Sequence, residues 1–337
     1  MKTTVLGRTG MTISRLCLGC MSFGTPAWRP WVLDEHQARP FFRRALEAGI
    51  NFFDTADFYS DGVSEEVTGK CLREMASLEE VVIATKVYFG PDRPNMTGLS
   101  RKHVQQACEA SLRRLGVETI DLYQVHRLDP ATPIDETLRA LDDLVRAGKV
   151  RHVGGSSMYA WELTKALGVS ERLGLARFES LQTHYNLVYR EDEREIMPLC
   201  ETEDVAVLPW SPLARGLLAG SRKGLREKAG SKRQETDAII ELLYDEDSDW
   251  EVVEAVLAVA RERGRPPAQI ALAWMLGKPW VTAPLVGVTK LAQLDDAIAA
   301  LELELTPAEI GRLEAPYRPH APKGMGRAAL YRPARRH

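Results

Sequence analysis

IDLYQVHRLDPATPIDETLRALDDLVRAGKVRHVG, residues 120–154, sets the reading of the whole chain. Its two ends, 120–125 and 150–154, are apolar runs of strand length. Between them Ile134, Leu138, Leu141 and Val145 recur at helical spacing. Gly148 falls where that helix should stop, supplying a left-handed terminal conformation without a Cβ penalty. Two strands joined through a helix pair in parallel, because a crossover of this length is the parallel solution.

The unit repeats in both directions. Runs of strand length stand at 15–18, 50–53, 81–84, 178–182, 205–209 and 281–286, which makes eight with the two above. Helical stripes lie between them: Phe41, Phe42, Ala45 and Leu46; Val104, Ala107, Cys108, Ser111, Leu112 and Leu115; Leu291, Leu294 and Ile298. Gly49 and Gly116 end two of these as Gly148 ends the third. Several strand runs are continuously apolar, as a sheet covered on both faces requires. Eight such units favour a closed (β/α)8 TIM barrel of the α/β class over an open sheet. Segments 3–6 and 11–14, flanking Gly7-Arg8-Thr9-Gly10, are expected to form an N-terminal β-hairpin capping the barrel floor. Long loops are expected at the C-terminal face: 25–34 with Trp28, Pro30 and Trp31, 88–100 with Gly90, Pro91, Pro94 and Gly98, and an insertion over 211–248. The insertion is charged and is expected to form a lid. One barrel domain over 1–316 accounts for most of the chain. The remainder, 317–337, carries six Lys/Arg, no acid and three Pro, and reads as a loosely ordered basic tail.

A net charge of −3 on 337 residues gives no electrostatic reason to expect nucleic acid or a membrane surface as partner. Nothing approaches the roughly 20 apolar residues of a membrane span. No apolar run follows Met1-Lys2-Thr3-Thr4, so cytoplasm is the expected compartment. Cys17 and Cys20 form a C-x-x-C, but no second pair or nearby His completes a metal set. The five cysteines are therefore read as buried apolar residues, with no metal expected. The sequence carries no signal of oligomeric state.

Chemistry is expected where strands end, since barrel active sites are built from the C-terminal ends of several strands. Asp54 follows 51–53, Lys86 follows 81–85 and His126 follows 120–125. Tyr59 lies five residues beyond Asp54 in a loop that folds back over the mouth. A phenol has an ordinary pKa of about 10, and a neighbouring ammonium favours its phenolate. With Asp54 holding Lys86 charged and His126 orienting a substrate oxygen, Tyr59 becomes a proton donor suited to a nascent alkoxide.

The strings Asn51-Phe52-Phe53-Asp54-Thr55-Ala56-Asp57-Phe58-Tyr59, Ile83-Ala84-Thr85-Lys86, Asp121-Leu122-Tyr123-Gln124-Val125-His126 and Pro209-Trp210-Ser211-Pro212-Leu213-Ala214-Arg215-Gly216 resemble the aldo-keto reductases. The resemblance runs in unbroken order over about 3–313. It implies a barrel that binds NADPH/NADP+ in extended form without a Rossmann domain, and reduces a small-molecule carbonyl substrate. The absence of a Gly-x-Gly-x-x-Gly between strand and helix agrees with it. The resemblance makes Tyr59 the donor and Asp54, Lys86 and His126 its partners. It places Ser156, Ser157 and Gln182 on the nicotinamide carboxamide, Trp210 stacked on the nicotinamide, and Ser211, Leu213 and Arg215 near the pyrophosphate. Gly287, Thr289, Lys290 and Gln293 resemble the segment binding the adenosine 2′-phosphate, where hydroxyl and cationic donors suit a dianion and a helix N-terminus adds its dipole. Gly19 and Met21 are implied as backbone contacts. The chain departs from common family choices at Ser157, where many members have Asn. Asp296-Ala297 stands where relatives often have Glu-Asn, and Trp210 where Tyr is common. Two other readings stay open on the residues alone. A strand-end lysine also suits a Schiff-base aldolase, and potassium-channel β subunits share the fold and tetrad.

Overall fold

The protein is described from a computed structural model covering residues 1–220, 243–244 and 246–324. An antiparallel hairpin, β1 (Thr3–Val5) and β2 (Thr12–Ser14), precedes eight strands: β3 (Cys17–Gly19), β4 (Phe52–Asp54), β5 (Val82–Val87), β6 (Ile120–Val125), β7 (Val150–Ser156), β8 (Phe178–His184), β9 (Ala206–Trp210) and β10 (Leu285–Val286). These eight run parallel in the order β10-β3-β4-β5-β6-β7-β8-β9. The ring closes where Val207 bridges Val281 and the Thr282 N–H donates to the Val207 carbonyl at 3.0 Å. The expected eighth strand is shorter than the 281–286 run. Pro284 has no N–H to donate, so the run is split; only Leu285 and Val286 pair with β3.

Side chains alternate across each strand, and the alternation divides the core in two. Phe52, Val82, Ala84, Leu122, Ala206 and Leu208 fill the barrel interior together with Leu6 and Ile13 of the hairpin. Phe53, Ile83 and Tyr123 face outward into the helices; Phe42 of α1 (Glu35–Glu47) stacks on Phe53 at 5.8 Å. Burying Leu6 and Ile13 stabilises the floor by about 1.5–3 kcal/mol each, which a hairpin alone in water would lack. Helices α2 (Val63–Met75), α3 (Arg101–Leu115), α4 (Ile134–Arg146) and α5 (Ala160–Leu173) follow β4 to β7 in turn. The stop residues Gly49, Gly116 and Gly148 have φ of +81°, +67° and +72°.

The expected lid lies mostly outside the described residues, at 221–242 and 245. The expectation of a loose tail fails for its first part, 317–324. The Tyr317 hydroxyl donates to Glu191 at 2.6 Å, His320 lies 2.6 Å from Asp249, and the Lys323 N–H donates to the Tyr189 hydroxyl at 2.8 Å. Polar and aromatic anchoring holds the segment where apolar content could not. Residues 325–337 of the tail are not among those described. Among the described residues, no helix is long and apolar enough to cross a membrane.

Candidate active site

Asp54 is the last residue of β4, Lys86 the penultimate residue of β5, and His126 the residue after β6. Parallel pairing in register brings all three to one end of the barrel. Tyr59 opens the short helical turn Tyr59–Gly62, in which Ser60 and Asp61 have φ of 52° and 53°, so the chain folds back over the mouth. The Lys86 ammonium is fully buried. It donates to Asp54 Oδ1 at 2.5 Å, to the Thr55 carbonyl at 2.8 Å and to the Tyr59 hydroxyl at 3.3 Å. Burial opposes its charge, but Asp54 and Tyr59 outweigh that and hold it above the ordinary lysine value. An amine kept charged is a poor imine-forming nucleophile, so this geometry disfavours the aldolase alternative.

His126 packs edge-on to Tyr59 at 5.7 Å and to Phe89 at 5.0 Å. Burial, with Lys86 and Arg127 adding repulsion, pushes its pKa well below the usual histidine range. The ring is neutral at physiological pH. Its Nδ1 is buried without a hydrogen-bond partner.

Sequence reasoning missed Gln124. This side chain donates to Asp54 Oδ2 at 3.0 Å, and Gln182 donates to the same oxygen at 2.9 Å. Gln182 also donates to Gln124 Oε1 at 3.3 Å. A carboxylate with both oxygens engaged is fixed in place. The signal was present: Leu122 faces the barrel interior, so by alternation Gln124 and His126 share its face. Arg127 was missed as well. Its Nη1 donates to the His126 carbonyl at 2.6 Å and to Ser157 Oγ at 3.1 Å.

Ser156 ends β7 and its hydroxyl lies 3.3 Å from that of Ser157, which also accepts from Trp210 Nε1 at 3.2 Å. Trp210 ends β9 and stacks on His184 at 4.3 Å, with Tyr189 stacked on the other side at 4.2 Å. Against its edge lies Gly324, where a Cβ would come within 2.9 Å of the indole. The docked 317–324 segment thus meets the edge of the ring.

A single cavity of about 1350 Å³ runs across the mouth. Asp54, Tyr59 and His126 line one part of it. Gly19, Met21, Ser156, Gln182, Trp210, Ser211, Leu213, Arg215, Gly287, Thr289, Lys290 and Gln293 line the rest. Lys86 and Ser157 stand behind that lining and reach it through Asp54 and Tyr59, and through Trp210. Gln293 caps its own helix, Leu291–Ala299: its Oε1 accepts from the Thr289 and Lys290 N–H groups at 2.8 and 3.1 Å. Of the aromatic residues on the loops at the mouth, Trp28, Trp31 and Phe89 line the cavity, while Tyr88 packs edge-on to Phe89 at 5.0 Å. Among the described residues no group of three or more His, Cys, Asp or Glu is placed to hold a metal. Cys17 and Cys20 are both buried, and Cys17 faces the barrel interior while Cys20 packs into the outer core.

A barrel whose strand ends converge on a buried lysine–carboxylate–tyrosine cluster beside one long cavity defines a class of barrel oxidoreductases. The chain belongs to the aldo/keto reductase family, whose pattern it matches over residues 15–318. It is similar to versiconal hemiacetal acetate reductase of Aspergillus parasiticus, at 41% identity over 94% of this chain and 97% of the relative. It is also similar to aldo-keto reductases of Fusarium vanettenii and Metarhizium robertsii, at 38% and 37% identity, each over 95% of this chain and 92% of the relative. Membership makes this chain an oxidoreductase of carbonyl compounds.

Proposed function

We propose that the protein is a cytoplasmic enzyme that reduces aldehydes or ketones to alcohols with NADPH, Tyr59 donating the proton. One observation carries the reading: the buried Lys86 ammonium lies 3.3 Å from the Tyr59 hydroxyl while Asp54 holds it at 2.5 Å. The donor set around the cavity fits a dinucleotide. Ser156 and Gln182 offer hydroxyl and amide groups for the carboxamide, Ser157 stands behind them and accepts from Trp210 Nε1, and Trp210 offers a braced ring for the nicotinamide. Ser211, Leu213 and Arg215 suit the pyrophosphate, and Gly287, Thr289 and Lys290 suit a terminal phosphate. Gln293 supports that last segment by capping it, and Gly19 and Met21 face the cofactor path.

Bound NADPH supplies the hydride. The neutral His126 orients the carbonyl oxygen through Nε2–H, which leaves the orphaned Nδ1 as its lone-pair nitrogen. Tyr59 then gives its hydroxyl proton to the developing alkoxide, and the Lys86 ammonium stabilises the phenoxide left behind. Asp54 keeps Lys86 charged and in place. Trp28, Phe58 and Phe89 beside Tyr59 and His126 favour apolar or aromatic carbonyl compounds. The Aspergillus relative, named for reduction of a hemiacetal acetate, supports a small-molecule carbonyl substrate. The buried, unbridged cysteines suit a reducing compartment. The test is loss of NADPH absorbance with a panel of aldehydes, ketones and sugars, run in parallel with NADH. Turnover favouring NADPH is expected. No cofactor consumption with any compound would refute the reading.

A further inference from the structure

We infer that Arg127 binds a carboxylate on the substrate, so that the preferred carbonyl compounds are anionic and aromatic or apolar elsewhere. The inference rests on the reductase reading and adds a substrate class to it. Arg127 lines the cavity beside His126, with its guanidinium 5.9 Å from the Phe89 ring centre. That places it among the rings proposed to receive the substrate. Both of its hydrogen bonds go to neutral acceptors, the His126 carbonyl and Ser157 Oγ, and both leave from Nη1.

Nε and Nη2 therefore have no acceptor among the described residues. Those two N–H groups form one edge of the planar fork, the edge that pairs with a carboxylate through two parallel bonds. Among the described residues no carboxylate lies within ion-pair distance of Arg127, whereas three other enclosed cations each have one. Lys86 has Asp54, Arg114 has Glu65 at 2.6 Å and Arg190 has Glu193 at 2.7 Å. Among the described residues, the two acids that line the cavity are already engaged. Asp54 is held by Lys86, Gln124 and Gln182, and Asp296 accepts from Gln269 at 2.9 Å. A guanidinium does not discharge in a protein, and a partly enclosed charge without a counterion is costly. A substrate carboxylate removes that cost on binding.

The experiment compares 4-carboxybenzaldehyde with its methyl ester at saturating NADPH, in the wild type, Arg127→Met and Arg127→Lys. Wild type is expected to favour the acid in kcat/KM by on the order of 10- to 100-fold, through KM. Arg127→Met should bring the ratio to about 1 and Arg127→Lys should restore part of it. In parallel, benzoate and benzyl alcohol are titrated into the enzyme–NADP+ complex by fluorescence quenching. Benzoate should bind more tightly to wild type, and Arg127→Met should lose that difference. An unchanged acid-to-ester ratio in Arg127→Met overturns the inference, as does equal binding of benzoate and benzyl alcohol. Weakened NADPH binding without a change in charge selectivity also overturns it and makes Arg127 a cofactor residue. If neither aldehyde is reduced but benzoate binds through Arg127, the reductase reading fails and the anion site stands.

Discussion

Asp54 receives three side-chain donors, one from Lys86 on Oδ1 and one each from Gln124 and Gln182 on Oδ2. The pair proposed to prime Tyr59 is thus held by residues from β4, β5, β6 and β8. Gln124→Leu keeps the volume roughly constant and removes one donor to a charged group, an interaction worth about 1.5–3 kcal/mol. Steady-state kinetics are expected to show kcat reduced about tenfold, with KM changed little. A raised KM at constant kcat would mean that Gln124 acts on substrate binding. The convergence of Asp54, Lys86 and His126 was legible in the sequence because three consecutive strands each end in a polar residue, where a barrel builds its site. Gln124 was not singled out, because within the run it reads as one polar interruption. Its meaning needs Asp54 from another strand 70 residues away.

The β1–β2 hairpin shows what an element contributes without touching chemistry. Gly7 sits in its turn at φ +51°, and a Cβ there would come within 2.5 Å of the Glu179 carbonyl of β8. Gly7→Ala is therefore expected to lower unfolding free energy by about 1–3 kcal/mol while leaving NADPH affinity unchanged, since the floor lies at the far end of the barrel. Denaturant unfolding alongside cofactor quenching checks both halves. The hairpin, the strand–helix rhythm and the stop glycines were legible because each is written in local periodicity or a local φ requirement. The shortened β10 was less so, although Pro284 was there to see. The docking of 317–324 was hidden, because its anchors are single polar groups paired with Glu191 and Asp249 far away in sequence.

The barrel as a whole encloses titratable groups whose pH response is a property of folding. His184 is buried between Trp210 and Tyr189, and burial holds its pKa down at about 3. Unfolded, the same imidazole takes a proton below about 6.5. Its contribution is fully present above that pH and is lost as pH falls toward 3, because only the unfolded chain binds the proton. His184→Asn removes this term, so wild type should lose stability faster than the variant between pH 6.5 and 4.5, by about 1.4 kcal/mol per unit. Parallel curves of unfolding free energy against pH would contradict it. The same enclosure brings four segments of chain to one phenol, the Tyr59 hydroxyl. Single-turnover reduction of an aldehyde by Tyr59→Phe, with NADPH affinity measured on the same sample, is the most direct test. A rate reduced on the order of 10²- to 10⁴-fold is expected, with cofactor affinity within about twofold of wild type. A variant that reduces the aldehyde at close to the wild-type rate would contradict it.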